Sequence, residues 1–366
     1  MSKLRNSLFA LTGLALVAAA ALLGGTPAGA DNGPNHRVRN LNFGVSGGNV
    51  NDASRSFCCS GTLGSLITDG TNQYILSNNH VVGLAGRARV GDDVSQPGLI
   101  DNGCRIADVV ADFTAAPALS ANVDAAIAQL RPGMMNPLGA IEDIGTISST
   151  VRNASVGLPV QKSGRTTGHT TGAVSSINTT VSIRYPKSCG SGGGTAFTFR
   201  NQVVVTPGTF SAGGDSGSLI LTNDSNKQPV ALLFAGSSSS TIGNPIGEVL
   251  TRVGSSLGRP VSFVGAGGGA QAASLGYTIS SEGVFMQQLP EAAADVARAA
   301  LARNESALMG RADVLGVGIG QASQDPTEAV IVIYVNQNAR AAGRDLPKAI
   351  DGIRVRRVFT DEFVAR

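Results

Sequence analysis

The chain has 366 residues and a formal net charge of +3, with 42% hydrophobic and 14% charged positions. Of its 28 basic residues, Lys3 and Arg5 fall in an export leader, leaving 26 against 25 acidic residues. That balance argues against a nucleic-acid or anionic-membrane partner. Aromatic content of 4%, no tryptophan and 48 glycines favour short strands joined by turns over long helices, and the length allows two or three compact units.

Residues 1–30 read as a secretory signal. Lys3 and Arg5 precede an apolar run from Leu8 to Leu23 and a small-residue exit at Ala28-Gly29-Ala30, with cleavage expected after Ala30. The run is short for a membrane span and is interrupted by Thr12 and Gly13. No cysteine precedes Cys58, which disfavours a lipid anchor. The mature protein is therefore expected to be exported, soluble and free of the membrane. His36 follows in a polar segment and is expected to be a solvated surface residue.

Between about 38 and 135, strand-like stretches at 61–67, 73–76 and 124–130 alternate with turns. One of them runs through Ser77-Asn78-Asn79 into His80, and another opens with Asp124 ahead of a small apolar run; Asp112 is the alternative carboxylate. Stretches at 172–177, 181–183, 202–205, 217–221 and 230–234 repeat the style between about 150 and 256. His169 lies in a strand-and-turn element and reads as structural or substrate-adjacent, while the glycine-rich 188–194 reads as a mobile loop.

Export makes disulfides plausible, and Cys58, Cys59, Cys104 and Cys189 allow three pairings. A bond between adjacent Cys58 and Cys59 would be strained, so each is expected to reach one of the two distant cysteines. A zinc site is disfavoured because the adjacent pair lacks the usual spacer. Neither metal nor cofactor is expected.

The densest chemical signal is Ser211-Ala212-Gly213-Gly214-Asp215-Ser216-Gly217, running into apolar Leu219 and Ile220. Glycines beside Ser216 permit backbone conformations that a Cβ forbids, and allow a carbonyl to approach closely. A serine hydroxyl needs a base, and the base needs a partner to fix its tautomer. His80 and Asp124 supply both, in the chain order His, Asp, Ser.

With these motifs the chain resembles the trypsin-like (chymotrypsin-fold) serine peptidases of the secreted bacterial type. Gly-Asp-Ser-Gly at Gly214 to Gly217 matches that family's nucleophile loop, and the segments at His80 and Asp124 match its other two motifs. The resemblance implies a mainly β fold, a double β-barrel within residues 31–257, with barrels at about 38–135 and 150–256 and the cleft between them. It implies His80, Asp124 and Ser216 as catalytic residues and the N–H groups of Gly214 and Ser216 as an oxyanion hole. It also implies a protein or peptide substrate bound along Phe234-Ala235-Gly236. Phe210, six residues before Ser216, stands where digestive trypsins carry an acidic pocket base, so an apolar or small side chain is expected at the cleaved bond. No Ile-Val-Gly-Gly start is present, so Asp215 needs a partner other than a new amino terminus. An idle binding or adhesion protein on the same scaffold, a serine esterase and a self-processing protease are the rival readings.

Residues 258–289 read as a Gly/Ala/Ser-rich linker and 290–366 as a small α+β module. Within the module a helix is expected from Pro290 to about Leu308, followed by strands at 314–319 and 329–335, a helical or turn segment at 346–350, and a strand at 353–359. Gly316-Val317-Gly318-Ile319-Gly320 lacks a following helix and suits strand packing rather than dinucleotide binding. The module is a candidate for partner binding or for regulation of the protease, and no carboxylate-binding loop of the PDZ kind is evident.

Overall fold

The computed structural model describes residues 36–191, 194–267, 277–279, 285–340 and 342–365. The expected signal segment, and within the expected linker 268–276 and 280–284, lie outside the described residues. Among the described residues, no helix is long and apolar enough to cross a membrane.

The first sheet has eight strands in the order β14-β3-β4-β7-β6-β5-β1-β2. These are β1 (Val45–Asn49), β2 (Gly61–Leu63), β3 (Ser65–Thr68), β4 (Gln73–Ser77), β5 (Asp93–Gln96), β6 (Asp108–Ala115), β7 (Ala126–Leu130) and β14 (Ser262–Phe263). All pairings are antiparallel, as between Leu66 and Ile75 on β3 and β4, or Ile75 and Ala128 on β4 and β7. Short β-branched and leucine-rich runs fill the curl with Leu66, Ile75, Ile127 and Phe43, all fully buried. Helix α1 (Asn79–Val82) follows β4 directly. The start of the expected linker is a strand of this sheet, since Ser262 and Phe263 pair with Thr68 and Ile67.

The second sheet holds β8 (Pro159–Gly164), β9 (Gly168–Tyr185), β10 (Thr195–Thr206), β11 (Leu219–Thr222), β12 (Pro229–Gly236) and β13 (Thr241–Pro245). The two stretches expected at 172–177 and 181–183 are one 18-residue strand. Asn178 at its middle has φ +48°, and the pairing with β10 shifts register alongside. Asn tolerates that conformation with a local kink, so the strand bends without ending.

Helix α2 (Ile246–Leu257) was not expected. It buries Ile246, Val249 and Val253, and Gly258 caps it at φ +76°. That i, i+3, i+7 spacing ending in glycine was the available signal.

In the C-terminal part, α3 (Glu291–Met309), β17 (Val314–Gln321), β18 (Ala329–Asn336) and β20 (Ile353–Thr360) lie where expected. The segment around 346–350 ends in a short strand, β19 (Ala349–Ile350). Helix α3 turns Ala294, Ala297 and Leu301 into a core shared with Val317 and Ile319 of β17. This helix-on-sheet layer has no sheet of its own: β17 pairs with β9 at Val181, Thr180 and Ile177, and β18 and β20 follow outward. The glycines of the 316–320 run permit the approach, since a Cβ at Gly316 would stand 2.9 Å from the Thr180 carbonyl oxygen, and one at Gly318 would strike Ser176 and Thr179. After β20 the chain returns to the cleft as β21 (Val364–Ala365).

Candidate active site

His80 stands one residue into α1, held by the two asparagines before it. Asn78 donates its side-chain amide to the Asp124 carbonyl (2.6 Å) and Asn79 donates to the Pro117 carbonyl (2.8 Å), both fully or almost fully buried. The polar step at the end of β4 thus locks the strand that leads to His80 to the loop that carries Asp124.

Asp124 is wholly buried. Its Oδ2 lies 2.5 Å from His80 Nδ1, and its Oδ1 accepts the His80 backbone N–H at 3.1 Å. The Asp124 N–H donates to Asn244 Oδ1 at 2.9 Å. A third donor had no sequence signal: Tyr185, at the end of β9, gives its hydroxyl to Asp124 Oδ2 at 2.7 Å. Its ring meets the imidazole edge-on, with centroids 5.9 Å apart. Burial, reinforced by the adjacent Asp124 carboxylate, raises the Tyr185 phenol well above its usual range, so this hydroxyl remains a donor at any physiological pH. Asp112, the alternative carboxylate, pairs with Arg131 on the surface at 2.6 Å.

Ser216 sits between β11 and the residues that precede it in a turn requiring two left-handed glycines. Gly214 and Gly217 both have φ +97°. A Cβ at Gly217 would strike the Thr62 carbonyl, and one at Gly214 would strike Thr166 and approach Arg165 Nη1 to 2.8 Å. Ser216 Oγ donates to the Phe234 carbonyl at 3.2 Å, and its own carbonyl accepts the Thr62 N–H at 2.8 Å.

The turn's peptide planes are fixed from behind. Thr166 Oγ1 donates to the Gly213 carbonyl (2.7 Å), and the Ser218 N–H donates to the Asp215 carbonyl (3.0 Å). Because a trans peptide directs its N–H opposite to its C=O, the N–H groups of Gly214 and Ser216 point away from those anchors. Among the described residues, no backbone carbonyl takes either N–H.

The partner that Asp215 needed is Lys162, on β8. Both side chains are fully buried, with Nζ 3.5 Å from Oδ2. Asp215 also accepts the N–H groups of Thr166 (2.8 Å), Thr167 (3.1 Å) and Ala212 (2.9 Å) and the Thr167 hydroxyl (2.7 Å). Burial pushes the Lys162 amine down and Asp215 pulls it back up. Between the two sheets, Arg165 forks onto Asp101 with two 2.6 Å bonds, while its N–H reaches Thr62 Oγ1 (3.1 Å), which in turn donates to the Gly214 carbonyl (2.9 Å).

The cleft beside His80 encloses about 230 Å³ and is bordered by Asp52, Ser60, Arg87, Tyr185, Gly214 and Ala365 among others. Burial raises the Asp52 carboxyl, against the lowering pull of His80 and Arg87. Cys59 and Cys189, which line this cleft, are bonded to each other and Cys58 is bonded to Cys104, so each adjacent cysteine does reach a distant partner. The 188–194 loop expected to be mobile is pinned at Cys189, and the Ser188 N–H donates to Ser191 Oγ at 2.8 Å. Residues 192–193 lie outside the described residues.

Three expectations about individual side chains need correction. Phe210 and Phe234 do not line the cleft. Phe210 is 1% exposed in a core packed on the second sheet, and Phe234 is fully buried against Phe199, with ring centroids 4.9 Å apart. The basis for expecting an apolar side chain at the cleaved bond goes with them. His36 is not a surface residue: it is 2% exposed, bonded to Asp143 Oδ2 (2.8 Å) and the Gly44 carbonyl (3.0 Å). His169 faces Gln161 Oε1 at 2.9 Å. Of the expected substrate wall, Ala235 and Gly236 are buried and pair with β21.

No protein-family model matches the chain, and no curated protein does. Solved structures do. A glutamic acid-specific serine protease is 23% identical, with 60% of this chain and 98% of that chain covered and a TM-score of 0.43. Protease A of Thermobifida fusca and the chymotrypsin of Cellulomonas bogoriensis are each 18% identical, with 62% and 99% covered and TM-scores of 0.41 and 0.40. The chain is similar to these bacterial serine proteases, and its strands lie in two curled sheets, in keeping with the mainly β fold expected from the sequence.

Proposed function

We propose that the protein is an exported serine endopeptidase using His80, Asp124 and Ser216 through an acyl-enzyme. The observation that carries this reading is the buried Asp124 carboxylate 2.5 Å from Nδ1 of His80, which borders the same cleft as Gly214 of the turn before Ser216. Ser216 Oγ adds to the scissile carbonyl and passes its proton to His80 Nε2. Asp124 holds the opposite ring nitrogen as an N–H donor and stabilises the imidazolium. The N–H groups of Gly214 and Ser216 receive the developing oxyanion, where loss of one donor typically costs about 3–4 kcal/mol of transition-state stabilisation. The C–N bond breaks as His80 returns the proton to the leaving amine. Water then hydrolyses the ester by the same relay and frees Ser216.

The two disulfides and the signal-like leader support export, since such bonds persist in oxidising compartments. Labelling by a fluorophosphonate, with Ser216→Ala as control, tests the reading: covalent modification is expected in the parent and none in the variant. A peptide library set against simple esters separates endopeptidase from esterase. An unlabelled parent chain that folds normally would leave a binding protein on a protease scaffold.

A further inference from the structure

The edge of β12 next to Ser216 is occupied by the protein's own chain. On that side β11 accompanies β12 only as far as Leu232, paired with Leu219; past that point the neighbouring chain has left as the nucleophile turn, whose Gly217 N–H donates to the Leu233 carbonyl. Ala235 and Gly236 would then present an open strand edge beside the hydroxyl of Ser216. An extended peptide must lie along such an edge for one of its carbonyls to reach that hydroxyl, and strand addition is a general way of holding it.

In the structure β21 fills the edge. Val364 pairs with Gly236 and Ala365 with Ala235, antiparallel, so the strand runs toward Phe234, the residue whose carbonyl takes the Ser216 hydroxyl. Ala365 borders the same cleft as His80. The segment before it is docked by side chains that leave β21 little freedom. Asp361 Oδ1 accepts the N–H (2.8 Å) and hydroxyl (2.6 Å) of Ser238. Glu362 takes both arms of Arg184 (2.9 and 3.0 Å). Phe363 is 1% exposed beneath Tyr334, with centroids 5.6 Å apart.

We propose that residues 361–365 are a built-in, substrate-like inhibitor that must leave β12 before an extended peptide can bind. The proposal rests on the protease reading and names the occupant of its peptide-binding edge. Tethering gives the segment a high effective concentration, and an enzyme whose competent state is a minor fraction shows an apparent affinity lowered by that fraction.

The test uses the full chain and two variants: Phe363→Ala, and the double variant Asp361→Ala/Glu362→Lys, which alters half-exposed and exposed docking contacts and stands in if the first is poorly folded by thermal melt. Each is assayed with a small fluorophosphonate, which needs Ser216 but no strand edge, and with an extended tetrapeptide substrate. Both variants are expected to raise kcat/KM on the tetrapeptide by about tenfold or more. The hexapeptide Thr-Asp-Glu-Phe-Val-Ala is expected to inhibit them in competition with substrate. Labelling of all three proteins with unchanged tetrapeptide hydrolysis overturns the inhibitory role and leaves the protease reading intact. Absence of labelling in all three removes the protease reading and this proposal with it.

Discussion

Two aspartates, Asp124 beside the first sheet and Asp215 beside the second, are equally buried and are held in opposite ways. Asp215 faces a buried cation, Lys162, and four further donors, so its charge is matched in the resting fold. Asp124 is met by a tyrosine hydroxyl, a backbone N–H and the ring of His80. Under the proposed reading the contrast has a reason. A carboxylate that shapes the nucleophile turn is best neutralised permanently, whereas one that stabilises an imidazolium must wait for a positive charge that exists only during the reaction.

Asp124→Asn breaks the comparison on the catalytic side. The amide fits the same space but favours the wrong imidazole tautomer, so kcat is expected to fall by about 10⁴ with the fold kept. Activity within a few-fold of the parent, in a protein of unchanged circular dichroism, would show that Asp124 is structural.

Lys162→Met breaks it on the structural side. Removing one partner of a buried pair and leaving the other charged typically costs about 3–5 kcal/mol. The midpoint of urea unfolding is expected to drop accordingly, and Lys162→Met/Asp215→Asn is expected to recover much of the loss because no orphaned charge remains. A single variant as stable as the parent would mean that the backbone donors around Asp215 suffice.

The glycine turn at Ser216, and the His80 and Asp124 segments that the structure brings into contact, were legible because each sits in a contiguous motif whose glycine or strand-end chemistry is local. What supports them was not. Lys162 lies on β8, and nothing in its neighbourhood marks a lysine that the fold will bury. Tyr185 closes a strand whose length was underestimated, because Asn178 and its neighbours look like a break. Strand β21 has two residues and no periodicity, and its partners on β12 and β9 lie far away in the sequence. His36 was misplaced for a similar reason: its segment is polar, and its partners Asp143, Ser163 and the Gly44 carbonyl come together only in the fold. The separation into barrel and module followed composition, whereas strand pairing follows edges, and β9 had one to offer.

Tyr185→Phe tests whether the two barrels act on one carboxylate together, since this residue of the second sheet completes the hydrogen bonding of Asp124 in the first. The ring and its packing against His80 and Phe197 are retained, and only the hydroxyl is lost. A hydrogen bond to a charged group contributes about 1.5–3 kcal/mol, so kcat/KM is expected to fall by roughly 10- to 100-fold. The lost donor also leaves Asp124 with more unshared negative charge facing the imidazole, which favours its protonated form. The acidic limb of the pH–rate profile, where His80 must lose a proton to act, should therefore move to higher pH. A merely structural role for Tyr185 would lower stability without moving that limb, and so the direction of the shift separates a positioning residue from a packing one.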